Sequence, residues 1–400
     1  MTLCLDFYLI KNYENTIKLI TLILIQTLKV MKDSFIYKAK FFLAPVFLFT
    51  AHNIFSPYHA KGLLTFVPIY FIFGLIPILD IIFPKSTINP SSKDEEIALS
   101  NNILFDILVW SALPIQLFFM FDFLQEFSAN YKNQSVLTLL GWITTLGITC
   151  IIFGINVGHE LGHRSNSWQR FIGKALLWTS LRMSFYIEHN WGHHTNVSTD
   201  KDPASAKKNE WVYTFIPKSI FMTWLNSWEI QRKLLKSRKA SFFSIYNDVL
   251  WYTFIQWGTI IAIALVYDWQ TAVGFVLAAL FGMVVLECVN YIEHYGLRRT
   301  IGENGQPERV LPIHSWNSDH SFSGAGLFNL SRHSDHHYIS SRPYQILRNY
   351  ETVPNMPAGY AGMVVLSLVP PLWFYVMNKR VDAVLSSYNR NQAPTTMESS

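Results

Sequence analysis

Apolar runs long enough to cross a bilayer constrain this chain more than any other feature. They fall at roughly 41–57 (FFLAPVFLFTAHNIFSP), 64–84 (LTFVPIYFIFGLIPILDIIFP), 103–123, 136–158, 246–267 and 271–291. A helix needs roughly 17–25 such residues to span the hydrocarbon core. Within lipid every backbone amide must find its partner inside the protein, so uninterrupted apolar runs of this length cross as helices. Pro68, Pro77 and Pro114 lie inside them and are tolerated there, because neighbouring groups satisfy the freed backbone. Composition agrees: half the residues are apolar and only 15% are charged, against about 25% in soluble domains. The expected fold class is an all-α integral membrane protein with six transmembrane helices.

Lysine and arginine in short flanking loops set orientation. Lys32, Lys38 and Lys40 precede the first run, and Lys85 and Lys93 follow the second. The loop after the third carries only Lys132, and the link YDWQT between the last two carries none. Segment 159–245 is basic throughout, with Arg164, Arg170, Lys207, Lys208, Arg232, Lys233, Lys236, Arg238 and Lys239. Both termini and the polar segments 159–245 and 292–400 are therefore expected on the cytoplasmic side.

The ends read differently from the middle. Residues 1–40 form an N-terminal extension whose apolar stretch is too short and interrupted to span, and it lacks a small-residue cleavage site. Met31 followed by KDSFIYKAK resembles a natural start, which makes residues 1–30 either an upstream start assignment or an interfacial amphipathic helix. Residues 383–400, ending NRNQAPTTMESS, read as a disordered tail. Cys4, Cys150 and Cys288, all in apolar surroundings, build neither a disulfide framework nor a Cys₄ metal site. A formal charge of +5 without a compact arginine-rich patch gives no reason to expect nucleic acid.

Nine of the thirteen histidines sit in four tight clusters. HELGH holds His159 and His163, EHNWGHH holds His189, His193 and His194, EHYG holds His294, and HSDHH holds His333, His336 and His337. All four fall at or beyond span ends on the basic side, although charge bias and histidine spacing are independent signals. Spacings of three and four place side chains on one helical face, so that two imidazoles converge on one ion. Each cluster also carries a carboxylate: Glu160, Glu188, Glu293 and Asp335. A ligating imidazole gives its other N–H to such a group, so these acids are outer partners of the ligands, or ligands themselves. His314 and His320 in HSWNSDH are expected in a supporting or structural role, and His52 and His59 in packing or interfacial ones. Glu287 and Asn290, costly in lipid, should face the bundle interior or the metal site.

HELGH alone matches the zinc metalloprotease signature, and a membrane zinc hydrolase is one reading. A catalytic zinc takes three protein ligands, whereas nine clustered histidines suffice for two metals. Nitrogen-rich sites without thiolate suit iron doing oxygen chemistry. A histidine-rich transporter is disfavoured because transport sites lie near the midplane, where these spans hold almost no histidine.

The motifs together resemble those of the membrane-bound alkane hydroxylases, the alkane 1-monooxygenases. HELGH, EHNWGHH, NYIEHYGL and LSRHSDHH occur in that family's order and approximate spacing, over roughly residues 40 to 382. The likeness extends to DPASA (202–206), HSWNSDH (314–320), SRPYQILRNYE (341–351) and PAGYAG (357–362). Membrane desaturases and xylene side-chain hydroxylases share the clusters, while NYIEHYGL and LSRHSDHH favour the alkane branch. One departure is Ser331, where that family commonly shows glutamine.

The resemblance implies a membrane domain over 41–382, with six helices and a cytoplasmic histidine-rich cap built from 159–245 and 292–382. It implies a non-haem diiron centre on the nine histidines, two iron ions and no covalent cofactor. The implied reaction is O₂-dependent hydroxylation of a terminal alkane carbon in a bacterial inner membrane. Its alternatives are fatty acyl desaturation and xylene-type side-chain hydroxylation. Phenylalanine, leucine and tryptophan from the first four and sixth spans would line an alkane channel. The chain has no flavin fingerprint or rubredoxin-type Cys₄ site of its own. Rubredoxin, reduced by an NAD(P)H-dependent rubredoxin reductase, is therefore the implied carrier, and the basic stretch 207–239 offers it a docking surface.

Overall fold

The computed structural model describes residue 41 and residues 61–392, and those from 61 onward belong to one compact unit, Ala44–Ser400. The expected first span apart from Phe41, the extension 1–40, His52 and His59 lie outside the described residues. The described residues form helices and loops without a strand; their only β pairings are isolated bridges, Ile301 with Pro307 and Asn317 with Asn355.

In chain order the helices are α1 (Gly62–Ile82), α2 (Lys93–Ser100), α3 (Ile103–Asn130), α4 (Val136–Gly162) and α5 (Ser167–Thr179). Then follow α6 (185–196), α7 (Val212–Ser237), α8 (Asp248–Val266) and α9 (Trp269–His294). The last are α10 (Ser321–Gly326), α11 (His333–Tyr338), α12 (Tyr360–Ser367) and α13 (Pro370–Gln392). Five of these are long and apolar enough to cross a membrane: α1, α3 with its flanks, α4, α8 and α9. They coincide with five of the six expected spans. Outward residues such as Ile81 and Leu265, 79% and 82% exposed, are at ease only beside lipid.

Polar residues start these helices where an N-cap is required. Asn102, Ser135, Asn247 and Asp268 each accept a hydrogen bond from a first-turn amide of α3, α4, α8 and α9. The pairing of α4 with α9 depends on glycine. A Cβ at Gly147 would lie 2.9 Å from the Ala278 carbonyl, and one at Gly282 would lie 3.2 Å from the Gly147 carbonyl. Small residues let the two backbones touch. Both helices run toward the same end of the bundle, where α4 finishes at HELGH and α9 at His294.

Inside α9, Glu287 is wholly buried and meets Arg182 (3.0 Å), the Ser219 hydroxyl (2.6 Å) and the Asn290 amide (3.0 Å). Of the two expected surroundings for Glu287, it thus has the bundle interior. Its partners come from the loop before α6 and from α7, so this pair ties a spanning helix to the segment that carries EHNWGHH.

α7 is apolar on its outer side as well as its inner one. Its buried face carries Val212, Phe215, Ile216 and Leu235 at the ends and the polar series Ser219, Thr223, Ser227 and Gln231 between them, while Tyr213, Phe221, Met222, Trp224 and Leu225 are exposed. A helix that turns its apolar side outward suits a bilayer interface.

The expected disordered tail is corrected over 383–392, which continue α13. Trp373, Met377 and Val381 recur every four residues and are fully buried, and Tyr388 continues that face. Trp373 packs against Tyr291 of α9 and Tyr295 just past its end at ring distances of 5.3 Å. A continuous apolar stripe sustains the helix past the polar residues that the composition emphasised.

Candidate metal centre

The nine clustered histidines meet at the common end of α4 and α9 and divide into two groups. His159, His163, His189, His194 and His336 form one, and His193, His294, His333 and His337 the other. In the first, Nε2 atoms follow one another from His336 to His159 (3.0 Å), His163 (3.1 Å), His189 (3.1 Å) and His194 (3.0 Å). In the second, His333 Nε2 lies 3.1 Å from His294 Nε2 and 2.9 Å from His337 Nε2.

Local backbone geometry decides which histidine joins which group. His159 and His163, four apart at the end of α4, share a face, as do His333 and His337 in α11. EHNWGHH behaves otherwise. Residues His189–His193 form a π-helical turn, whose wider ladder pairs i with i+5. His189 therefore aligns with His194, and His193 turns to the other group. Convergence of His189 with His193, which the spacing of four implies, is corrected by that one wide turn. Gly192 leaves room for the Glu188–Asn226 hydrogen bond against this turn, since a Cβ there would fall 2.7 Å from Glu188 Oε1 and 2.8 Å from Asn226 Nδ2.

The carboxylates occupy distinct places. Glu160 is ion-paired with Arg164 (2.8 Å) and accepts the Tyr344 amide (3.2 Å). Glu188 accepts from the Asn226 amide (2.9 Å), and burial raises it to about 7. Asp335 is fully buried, paired with Arg342, and accepts from Tyr350 (2.6 Å) and the Arg348 amide (2.7 Å), so it pins α11 to the loop after it. Glu293 alone of the four contacts an imidazole nitrogen, His333 Nε2 at 3.2 Å.

The His314 ring lies outside both groups, between the Leu311 amide (3.0 Å) and Glu308 (3.3 Å), although its main chain borders His294. His320 binds the Ser318 hydroxyl (3.0 Å) beside Asp80 and Lys85. Asp202, in DPASA, escaped the sequence reading as a site residue. It contacts His193 Nδ1 at 2.9 Å and is itself buried. The signal available was a carboxylate nine residues past a histidine, which spacing rules do not single out.

The donor set fits metal. Donors bound at about 2.0–2.1 Å to one ion lie about 3 Å apart when adjacent, as these nitrogens do. A neutral imidazole has one N–H, so an Nε2 with two imidazole nitrogens at 3.0–3.1 Å, as in His159 or His189, cannot satisfy both by hydrogen bonding. Burial and neighbouring imidazoles hold His189, His194, His333, His336 and His337 well below the ordinary imidazole range. Burial, with His193 nearby, takes His163 down to about 3. Neutral imidazole is the form that ligates. For His193 burial also pulls downward, but Asp202, Glu188 and Glu293 outweigh it and raise the group to about 9. Its buried Nε2 has no partner, and a metal ion held there would take the place of the proton that these carboxylates stabilise.

Comparison with known proteins agrees with this arrangement. Residues 135–367 match the fatty acid desaturase family model. Alkane 1-monooxygenase 2 of Alcanivorax borkumensis is 38% identical over 313 residues, 78% of this chain and 81% of that protein. Alkane 1-monooxygenase 1 of Pseudomonas aeruginosa is 36% identical over 78% of this chain and 81% of its own length. The chain belongs to the alkane 1-monooxygenase family. A more distant relative, the xylene/toluene monooxygenase hydroxylase component of Pseudomonas putida, is 24% identical over 77% of the chain.

Membership in the alkane 1-monooxygenase family reframes HELGH. A zinc protease needs its glutamate free to act as base, whereas Glu160 is engaged by Arg164 and the Tyr344 amide. Asp202 takes the outer role instead. Asp202→Asn is expected to weaken metal binding in the four-histidine group by about 10–100-fold and to spare the five-histidine group. Competition with a chelator reads the two sites separately; equal retention in both would contradict that assignment.

Proposed function

We propose that this family member hydroxylates the terminal carbon of n-alkanes to primary alcohols, using O₂ and a diiron centre held by all nine histidines. The observation that carries the reading is the convergence of nine buried or half-buried imidazoles into two metal-sized groups. The names of the relatives supply the substrate class. His159, His163, His189, His194 and His336 would hold one iron, and His193, His294, His333 and His337 the other. When bound, two irons would supply the oxidising power and the O₂ chemistry that removal of hydrogen from an unactivated C–H bond demands.

The chain's own residues do the rest. Burial keeps the imidazoles other than His193 neutral and excludes water. Asp202 fixes the ring of His193 through Nδ1. Phe185 stacks on His189 at 4.6 Å and offers an apolar wall against which a substrate methyl can lie. An alkane partitions into hydrocarbon by the hydrophobic effect, so helices with lipid-facing apolar surfaces can collect it from the bilayer. The channel would be lined by phenylalanine, leucine and tryptophan of the spans.

We assign the centre to the cytoplasmic side of a bacterial inner membrane. The far end of the described bundle has the start of α1 with Lys61 and the short loops 131–135 and 267–268 with Lys132, few basic residues beside those at the site end, which supports this orientation. Residues 41–57 would supply the sixth span, and the site-end loops and α11 the cap over the centre. α7 would lie in the interface, apolar face down.

Electrons would come from rubredoxin, recharged by its NAD(P)H-dependent reductase. The cationic end of α7 supports docking of an acidic carrier there: Arg232, Lys233, Lys236, Arg238 and Lys239 outnumber Glu229, which pairs with Arg232 (2.8 Å) and Lys233 (3.5 Å). Charge reversal at Lys233 and Lys236 is expected to raise the KM for reduced rubredoxin several-fold, with a weaker salt dependence. An unchanged KM would remove this surface from the account. Metal analysis tests the centre itself: two irons per chain support the reading, and one zinc overturns it.

A further inference from the structure

We propose that Glu293 is a metal ligand, the fifth donor of the four-histidine group, so that the two irons occupy sites of equal donor number and unequal charge. This rests on the diiron reading above. The decisive observation is which nitrogen the carboxylate meets. Carboxylates that merely orient a ligating histidine bind the nitrogen turned away from the metal. Asp202 does so, meeting His193 at Nδ1 (2.9 Å) while Nε2 stays buried and without a partner. Glu293 sits on the opposite face. Its Oε2 is 3.2 Å from His333 Nε2, the same atom that lies 3.1 Å from His294 Nε2 and 2.9 Å from His337 Nε2. The carboxylate oxygen thus adjoins the converging donors through His333, just outside the tight set formed by the four nitrogens.

Three further facts point the same way. Glu293 is 2% exposed, its Oε1 lies outside ordinary hydrogen-bond geometry, and the Tyr360 hydroxyl beside it is a neutral donor that does not balance its charge. No lysine or arginine among the described residues forms an ion pair with it, although a buried carboxylate without a cation is costly. The other cluster carboxylates are engaged elsewhere: Glu160 by Arg164, Glu188 by Asn226 and Asp335 by Arg342 and Tyr350. The histidine groups themselves number five and four, and Glu293 supplies the missing donor. Its place follows from NYIEHYGL: the residue before His294 lies in the last turn of α9, beside the group that His294 serves. An anionic ligand makes its ion less positive than the all-imidazole partner and favours the ferric state there.

The test uses full-length protein in lipid nanodiscs loaded with ⁵⁷Fe, read by Mössbauer spectroscopy and chelator competition. Wild type should hold two irons giving two doublets of equal area and different parameters. Glu293→Gln, close in shape, should move one doublet toward the other. It should also loosen that one iron beyond the roughly 10–100-fold that loss of an outer partner costs. Glu293→Asp, which keeps the carboxylate, should retain two distinct doublets. If wild type holds two irons and forms terminal alkanols, yet gives one doublet or spectra that Glu293→Gln leaves unchanged, the ligand role falls and the diiron reading stands. One zinc in place of two irons would end both. A single doublet in wild type overturns the ligand role even where a variant does not fold.

Discussion

Replacing His336 with alanine is expected to empty the five-histidine site, taking iron from two per chain to about one, and to cut alkanol formation by more than 100-fold. The magnitude follows from position. His336 Nε2 lies 3.0 Å from His159 Nε2, and it is the one imidazole that α11 contributes to that group. Losing an outer partner of a metal ligand costs roughly 10–100-fold, and losing a ligand itself should exceed that. His314→Ala supplies the contrast. His314 is equally buried and close in sequence, yet its ring meets Glu308 and the Leu311 amide rather than either group. Its substitution should leave two irons in place. Iron analysis beside product yield checks both variants; equal losses from the two would mean that burial, not ligation, governs the outcome.

The largest effect on stability is expected at Glu287. Its carboxylate is completely buried against Arg182, Ser219 and Asn290. Glu287→Ala leaves the Arg182 guanidinium, itself 5% exposed, with a hydroxyl from Thr223 (3.0 Å) and, among the described residues, only the more distant Glu188 as countercharge. Breaking one side of a buried pair costs about 3–5 kcal/mol, whereas replacing both partners with apolar groups is often neutral. Glu287→Leu combined with Arg182→Leu should therefore recover most of the loss. Thermal unfolding of the purified protein in one fixed detergent measures the cycle. A single-variant change below about 0.5 kcal/mol would place this pair with exposed ones of little consequence.

The membrane character was legible because a bilayer imposes a length and an apolarity that no soluble element needs. Five expected spans reappear as five helices, even where Pro114 interrupts one of them. Which histidines gather was also legible, since clusters at the ends of α4 and α9 can meet only where those helices end. How they divide was not. The π turn at His189–His193 is a one-residue excess in the ladder, and the spacing HNWGHH looks the same whether or not the helix widens. Asp202 was hidden because its approach to His193 arises from the turn at 196–205 rather than from a periodic face. α13 outran the expected tail because Trp373, Met377 and Val381 pack into the core beside α9 and Tyr388 meets His314 and Glu308, partners that composition cannot supply. The outward aromatics of α7 were taken as part of a polar segment, since the basic residues at its end dominate a local count.

Gas-chromatographic product analysis tests the central claim most directly. Membranes containing the chain would receive rubredoxin, rubredoxin reductase, NADH and a mixed series of n-alkanes under ¹⁸O₂. The account predicts 1-alkanols carrying one ¹⁸O atom, formed only when the full electron chain is present, over a window of chain lengths that the same chromatogram displays. Unreacted alkanes together with new double bonds in supplied fatty acyl substrates would contradict it, leaving the histidine groups in place and the assigned reaction wrong.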